Sequence, residues 1–282
     1  MKENILQWHP AFFACLQVEL DEEKENLIFE QEHLLGTKPT QIDVLVIKKE
    51  KDVPIKKNIG RIFRKYNIIE YKSPTDYLSI DDFYKVYGYA CFYKSLGAKE
   101  NMVAIEDLTV TFVCGKKPHK LLDHLQNKRT YQIEKKEAGI YEICGDVLTM
   151  QLIVIQELSD EDNLWLHNLT DDMDNIQVAN QLASEYKKHI RDERYAAIMN
   201  IIIRANEKKF EEGKNMCEAI RELFAEEFEQ QREEAEKAAA QSLVRSVENA
   251  MVNFKVNLEK ACAGIGTSVE EYNMAKDLLS RQ

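Results

Sequence analysis

The chain has 282 residues and a formal net charge of -11, and 44% of its residues are hydrophobic. With only ten glycines and five prolines, this composition excludes a long disordered or low-complexity chain. The six cysteines include no CxxC pair and no Cys/His cluster with zinc-site spacing, so we expect reduced thiols. No signal peptide and no apolar run near the ~18 residues of a membrane span is visible, which predicts a cytoplasmic protein.

Positive charge is concentrated between residues 48 and 72, although the chain as a whole is acidic. The acidic excess lies mainly in residues 160–174 and 207–236. A local basic stretch can hold phosphates while the whole protein stays acidic, although on charge alone a solvated lysine-rich loop is the simpler explanation. The candidate DNA-binding residues of this stretch are Lys48, Lys49, Lys56, Lys57, Arg61, Arg64 and Lys65.

The first half of the chain alternates helical and strand-like patterns. Apolar spacing and β-branched runs predict helices over residues 10–20, 80–96 and 116–125. The predicted strands cover residues 27–35, 41–47, 66–72, 101–105, 108–113, 131–133, 140–143 and 148–155. This order predicts an α/β (α+β) domain over residues 1–158, with a mixed central sheet flanked by helices.

The second half, residues 159–282, reads as an all-helical extension. Helices are predicted over residues 160–172 and 176–199, followed by a long helix from residue 215. Its polar middle, residues 230–241, has a composition typical of solvated or coiled-coil helices. Thr267 and Glu270 form a capping box for a short last helix. Because a helix of this kind is stable mainly through packing, we expect it to dock on a second copy and give a homodimer.

Three charged residues on two predicted strands indicate a catalytic site. Strand alternation places Glu70 and Lys72 on one face, and Asp43 lies in the preceding strand. Two carboxylates can hold Mg²⁺ through oxygen ligands. Such a cation polarises a phosphate and lowers the pKa of a bound water, and a lysine beside it stabilises developing charge. The alternatives are an ordinary surface ion pair of Glu70 with Lys72 and, for Asp43, an ion pair with Lys72 or exposure on a strand face.

Two stretches of the chain resemble a known family. The segment from Lys38 to Asp43, followed by the segment from Ile68 to Pro74, is similar to the PD-(D/E)xK nuclease superfamily, and more narrowly to the recombination-promoting nuclease (Rpn) and putative transposase family. The segments 58–64 and 82–90 add to the resemblance, which covers roughly residues 5–160. The chain departs from the usual pattern at Pro39, which lies four residues before Asp43 instead of directly before it.

The resemblance implies a restriction-endonuclease-like core that cleaves DNA with Mg²⁺ (or Mn²⁺). Asp43 and Glu70 then correspond to the metal-binding acids and Lys72 to the catalytic lysine. Glu19, near the end of the first helix, is the candidate for a third metal ligand, unless it belongs to the solvated acidic run that follows. Tyr84 and Lys85 are candidates for DNA contact, since the helix after the ExK strand approaches the site in related nucleases, although such tyrosines more often pack against the sheet.

Two other functions remain open from the sequence. The first is a nuclease-like fold that binds DNA or protein without cleaving it and carries a helical dimerisation arm. The acidic tail favours this alternative, whereas the intact Asp43, Glu70 and Lys72 favour the enzyme. The second is a purely structural coiled-coil protein, which leaves the strand-rich first half unexplained.

Overall fold

The computed structural model describes residues 6–30, 45–51, 53–95, 102–173, 176–206, 240–251 and 257–280. The chain divides into two compact units, Met1–Asn215 and Met216–Gln282. No helix within the described ranges is long and apolar enough to cross a membrane.

A seven-stranded mixed sheet forms the centre of the first unit, with the strand order β1-β2-β3-β4-β7-β6-β5. The central strands β3, β4 and β7 are parallel, and antiparallel pairs flank them on both sides. The strands are β1 (Leu27–Glu30), β2 (Leu45–Lys49), β3 (Tyr66–Tyr71), β4 (Leu108–Cys114), β5 (Gln132–Glu137), β6 (Ile140–Cys144) and β7 (Thr149–Val154). The predicted α+β class is therefore confirmed.

Helices cover both faces of the sheet. Phe83 of α2 stacks on Phe112 of β4 with ring centroids 5.4 Å apart, whereas Phe12 of α1 stacks on Tyr71 of β3 at 4.1 Å. Successive strand residues point to opposite faces, so α1 and α2 lie on opposite sides. The helices of this unit are α1 (Trp8–Glu19), α2 (Ile80–Ser95), α3 (His119–Arg129), α4 (Asp160–His167), α5 (Ile176–Lys188) and α6 (Glu193–Ala205).

Burial on both faces explains the composition of the central strands. Every residue of β4 is buried, including two threonines. On the face covered by α1, Asn67 forms hydrogen bonds across strands: it donates to the carbonyl of Ile47 at 2.9 Å and accepts from the hydroxyl of Thr109 at 2.7 Å. Buried polar groups are tolerated when they are paired in this way, and these bonds fix the relative positions of β2, β3 and β4.

The first compact unit extends beyond residue 158, after which the sequence predicted the helical extension. Its described residues include α4, α5 and α6, and α1 packs against α4 and α6. The single helix predicted over residues 176–199 is two helices, since Asp192 takes an extended conformation and its side chain accepts a hydrogen bond from the backbone of Arg194 as the cap of α6. The predicted strand over 101–105 is absent from its described part, where a 3-10 turn covers Ile105–Asp107.

The second unit is helical where the structure describes it, with helices over residues 240–251, Leu258–Ile265 and Val269–Ser280. Val247, Ala261, Cys262 and Tyr272 form part of a small buried cluster. Most of the long helix predicted from residue 215 lies outside the described residues.

Candidate functional site

Glu70 is a carboxylate buried near the C-terminal end of the central strand β3. Its side chain is only 6% exposed, and it pairs with Phe112 of β4 on the face covered by α2. The strand is anchored on this side, because the backbone N–H of Lys72 donates to the carbonyl of Val113 at 2.9 Å. A charge in such a position is costly unless neighbouring groups compensate it.

Lys72 supplies that compensation from the same face. Its Nζ lies 3.3 Å from Oε1 of Glu70 and 2.8 Å from Oδ1 of Asp82, in the first turn of α2. Ser79 fixes Asp82: its N–H and Oγ–H donate to Oδ2 of Asp82 at 2.8 and 2.6 Å, and the N–H of Asp82 donates back to Oγ of Ser79 at 3.1 Å. This reciprocal arrangement is a capping box. We call Glu70, Lys72 and Asp82 the carboxylate–lysine cluster.

The protonation of the cluster follows from its environment. Burial raises the pKa of the Glu70 carboxyl above its usual value, and the nearby Lys72 and Lys85 only partly offset this effect. The pKa of Asp82 is lowered, since hydrogen bonds from Lys72 and Ser79 outweigh the opposing effect of partial burial. Partial burial disfavours the Lys72 ammonium, but contacts with Asp82 and Glu70 raise its pKa overall. Lys72 therefore stays positively charged at neutral pH.

Of the other two predicted metal ligands, the structure describes only Glu19, and Glu19 does not join this cluster. Asp43 lies outside the described residues. Glu19 lies on α1, on the opposite side of the sheet, and protein groups hold both of its carboxylate oxygens. Oε1 accepts hydrogen bonds from the backbone N–H groups of Trp165 and Leu166, each at 3.0 Å, and Oε2 lies 2.6 Å from Nζ of Lys57. Glu19 thus joins α1 to α4 instead of facing Glu70.

The basic stretch predicted to bind DNA is spread over the first unit: Lys48 and Lys65 lie at the start of β3, whereas Lys57 contacts Glu19 of α1 and Arg61 contacts Glu137 of β5. Lys48 pairs with Tyr66, which precedes Glu70 by about 13 Å and Lys72 by about 20 Å along an extended strand. Several of these residues are engaged within the protein: Lys48 with Glu30, Lys57 with Glu19, and Arg61 with Glu137. Lys56, Arg64 and Lys65 are exposed, and Lys49 donates to the carbonyl of Val53 at 3.2 Å.

Tyr84 and Lys85, by contrast, lie near the cluster on α2. Lys85 is exposed and close enough to lower the pKa of Glu70, and its Nζ lies 5.6 Å from the ring centroid of Tyr89. The hydroxyl of Tyr84 is 2.9 Å from Nε2 of His124 on α3, and its ring remains 39% exposed. These two predicted residues therefore lie at exposed positions on the helix that carries Asp82.

Asp82 is the residue of the cluster that the sequence analysis did not single out. The signal was present in the spacing of Ser79 and Asp82, which fits a capping box, but that motif alone does not indicate contact with a strand residue. A second group, Glu134, Glu142 and Cys144, has ligand atoms within 4.8 Å of one another. Lys136 bridges its two carboxylates at 2.7 and 2.8 Å, so an ion-pair network accounts for it.

Comparisons of the chain with protein-family models, with curated proteins and with solved structures give no match. The geometry of the cluster is therefore the basis for a functional proposal.

The raised pKa of Glu70 predicts a specific pH dependence of stability. The carboxyl of Glu70 ionises near its ordinary pKa of about 4.3 in the unfolded chain, whereas in the folded protein it keeps its proton to higher pH. The protonated carboxyl therefore stabilises the folded state at low pH, and the wild-type protein loses this stabilisation as the pH rises through the folded pKa. Glu70→Gln cannot ionise. Its melting temperature relative to the wild type should therefore be higher at about pH 8 than at about pH 4.

Thermal unfolding followed by circular dichroism at the two pH values measures this difference. Glu22→Gln, at an exposed position after α1, is the matched control and should track the wild type at both. A Glu70→Gln melting temperature that differs from the wild type by the same amount at both pH values would contradict the assignment of a buried, ionisable Glu70.

Proposed function

We propose that this protein is a divalent-metal-dependent DNA endonuclease with a restriction-endonuclease-like core, acting in the cytoplasm and linked to recombination or mobile elements. The observation that carries the proposal is the contact of Lys72 with both Glu70 and Asp82 at the end of a central strand. The spacing Glu-x-Lys on that strand is the one that the resemblance to PD-(D/E)xK nucleases implies.

The donor set of the cluster fits a hard cation. Glu70 and Asp82 offer carboxylate oxygens, the ligands that Mg²⁺ and Mn²⁺ prefer, and the raised pKa of Glu70 marks a place where added positive charge is favourable. We propose that Glu70 holds the metal together with Asp43. The bound cation supplies Lewis-acid polarisation of a phosphate and a more acidic water.

The protein residues have separate tasks in this proposal. Lys72 remains an ammonium, since its pKa is raised, and therefore stabilises negative charge on the phosphate and does not act as a proton acceptor. Asp82 is a positioning residue: the capping box with Ser79 holds its carboxylate, which in turn holds the lysine. Lys85 is exposed and adds positive charge near Glu70.

The alternative is a nuclease-like fold that binds DNA or protein without cleavage. Lys48, Lys57 and Arg61 form ion pairs within the protein. These three cations are therefore less available to hold the phosphates of a DNA substrate, which favours the alternative. Cleavage assays separate the two functions directly.

Purified protein should nick or degrade DNA with Mg²⁺ or Mn²⁺ and lose this activity with a chelator. Lys72→Ala should lower the cleavage rate by about 10²–10³, because one preorganised charge-stabilising donor is removed, while Glu70→Gln should lower both cleavage and Mn²⁺ affinity. Gel assays of plasmid nicking measure the rates, and titration calorimetry measures the affinity.

Lys136→Ala is the matched control, since Lys136 also lies between two carboxylates. It belongs to β5, which lies four strands from β3 in the sheet, about 19 Å at the usual strand spacing, so its loss should leave cleavage unchanged. If Lys72→Ala cleaved as fast as the wild type, the site would be wrongly assigned. Wild-type protein that binds DNA but never cleaves it would support the binding module.

We propose further that the protein is a homodimer through its C-terminal helices. Met274 and Leu278 lie one turn apart on the last helix and are 68% and 36% exposed, so this unit presents apolar surface that a second copy would cover. Light scattering at micromolar concentration should give about twice the chain mass of 32.8 kDa, and a chain ending at Asn215 should give a monomer. A monomeric full-length protein, or a dimer that survives the deletion, would contradict this arrangement.

A further inference from the structure

An exposed glycine lies in the middle of the outer face of α2. Gly88 occupies the interior of this 16-residue helix, where glycine is the least favourable residue apart from proline. Such a glycine usually has a packing reason, yet a Cβ added at Gly88 would meet nothing within 4 Å. Packing within the described residues therefore does not explain the glycine, and the close approach of another backbone is a known reason for a glycine at such a position.

Two exposed aromatic side chains lie one helical turn before and after this glycine. Tyr84 and Phe92 are the residues four positions away on each side, so they share its face of the helix, and they are 39% and 48% exposed. We call Tyr84, Gly88 and Phe92 the α2 stripe. It offers two flat apolar rings separated by a gap with no side chain.

The α2 stripe is continuous with the carboxylate–lysine cluster. Lys85 lies beside Tyr84 in the sequence, one turn after Asp82, and acts electrostatically on Glu70. On the other side, Tyr84 contacts His124, and the guanidinium carbon of Arg129 lies 5.8 Å from the Tyr84 ring centroid. The neighbouring helix α3 carries Lys120 and Lys128 against Asp123 as its one acidic residue, together with Arg129, which is paired with Asp146 at 3.6 Å. The partner that complements such a surface is anionic.

We propose that the α2 stripe docks an unpaired nucleic-acid strand on its way into the carboxylate–lysine cluster, with the strand's backbone crossing Gly88 and its bases stacking on Tyr84 and Phe92. This inference rests on the proposed nuclease function and specifies its substrate as single-stranded or locally unpaired. Stacking on protein aromatics requires base faces that are not covered by neighbouring bases. A second copy of the chain is the competing occupant, but the cations beside the stripe and its continuity with the cluster favour nucleic acid.

Fluorescence anisotropy with a labelled oligothymidine and with a duplex of the same length tests the proposal, in the presence of a chelator so that no cleavage occurs. The wild type should bind the single strand more tightly than the duplex. Tyr84→Ala and Phe92→Ala should each weaken single-strand binding by about 5- to 150-fold, the value of one lost base–aromatic stack. Gly88→Leu should weaken it by roughly tenfold or more, because its side chain separates the strand from both rings.

Gly264→Leu is the matched control, since Gly264 is also an exposed helical glycine with nothing within 4 Å, and it lies in the second unit. It should bind the single strand like the wild type. Both leucine variants replace glycine with a better helix former, so their melting temperatures should not fall, and weaker binding by Gly88→Leu is then not a folding defect.

Three binding results would overturn the inference: wild-type protein that does not bind the single strand, equal or tighter binding of the duplex by the wild type, or wild-type affinity in Gly88→Leu. If Gly88→Leu keeps its DNA affinity but changes its molar mass, the stripe serves self-association instead, and the inference is again overturned. Cleavage assays with Mg²⁺ or Mn²⁺ keep this inference separate from the proposed function. Unchanged binding by Gly88→Leu in a protein that cleaves DNA refutes the stripe alone. Lost binding by Gly88→Leu in a protein that never cleaves DNA refutes the nuclease alone.

Discussion

A carboxylate buried at the end of a central strand has to be balanced by nearby charge, and this requirement organises the region around Glu70. Removing an ion from water costs several kcal/mol even after relaxation of the protein. The ammonium of Lys72, the next residue but one, offsets that cost for Glu70. Lys72 lies between the strand and the first turn of α2, where a second carboxylate can contact it. Asp82 supplies that carboxylate, so one buried charge couples a strand to the start of a helix.

The sheet and the helix cap make this coupling precise. Parallel pairing with β4 holds Glu70 opposite Phe112, and the stacking of Phe83 on Phe112 sets α2 over the same residues. The capping box between Ser79 and Asp82 then fixes the carboxylate that receives the lysine. A residual imbalance remains, since the pKa of Glu70 stays raised despite two lysines nearby. Perturbed pKa values cluster at functional sites and also occur in structural ion-pair networks.

Local rules predicted some of this arrangement from the sequence. Alternation along a strand placed Glu70 and Lys72 on one face, and their contact confirms it. The β-branched and apolar runs also predicted most of the strands, because burial on both faces leaves a strong signature. The break at Asp192 escaped prediction, since the apolar period continues across it and only the side-chain cap shows where the second helix begins.

Contacts between distant segments were beyond the sequence patterns. Asp82 reaches Lys72 because α2 packs over β3 and β4, which no spacing rule encodes. In the sequence, Glu19 is one of several acidic residues at the end of a helix. Its partners in the structure, Trp165, Leu166 and Lys57, lie far along the chain. Lys48 lies on the strand that precedes Glu70 in the chain, yet it pairs with Tyr66 at the start of β3, about 13 Å from Glu70 along the strand. In each case the sequence supplied the residue type, and tertiary packing decided its neighbours.

The most direct test of the central claim is a crystal structure of the protein soaked with Mn²⁺, with anomalous scattering used to locate the ion. The account predicts an anomalous peak within about 2.5 Å of a carboxylate oxygen of Glu70, the range expected for oxygen ligands of a hard divalent cation. A fully occupied Mn²⁺ elsewhere, for example at Glu134 and Glu142, with no peak beside Glu70, would contradict it.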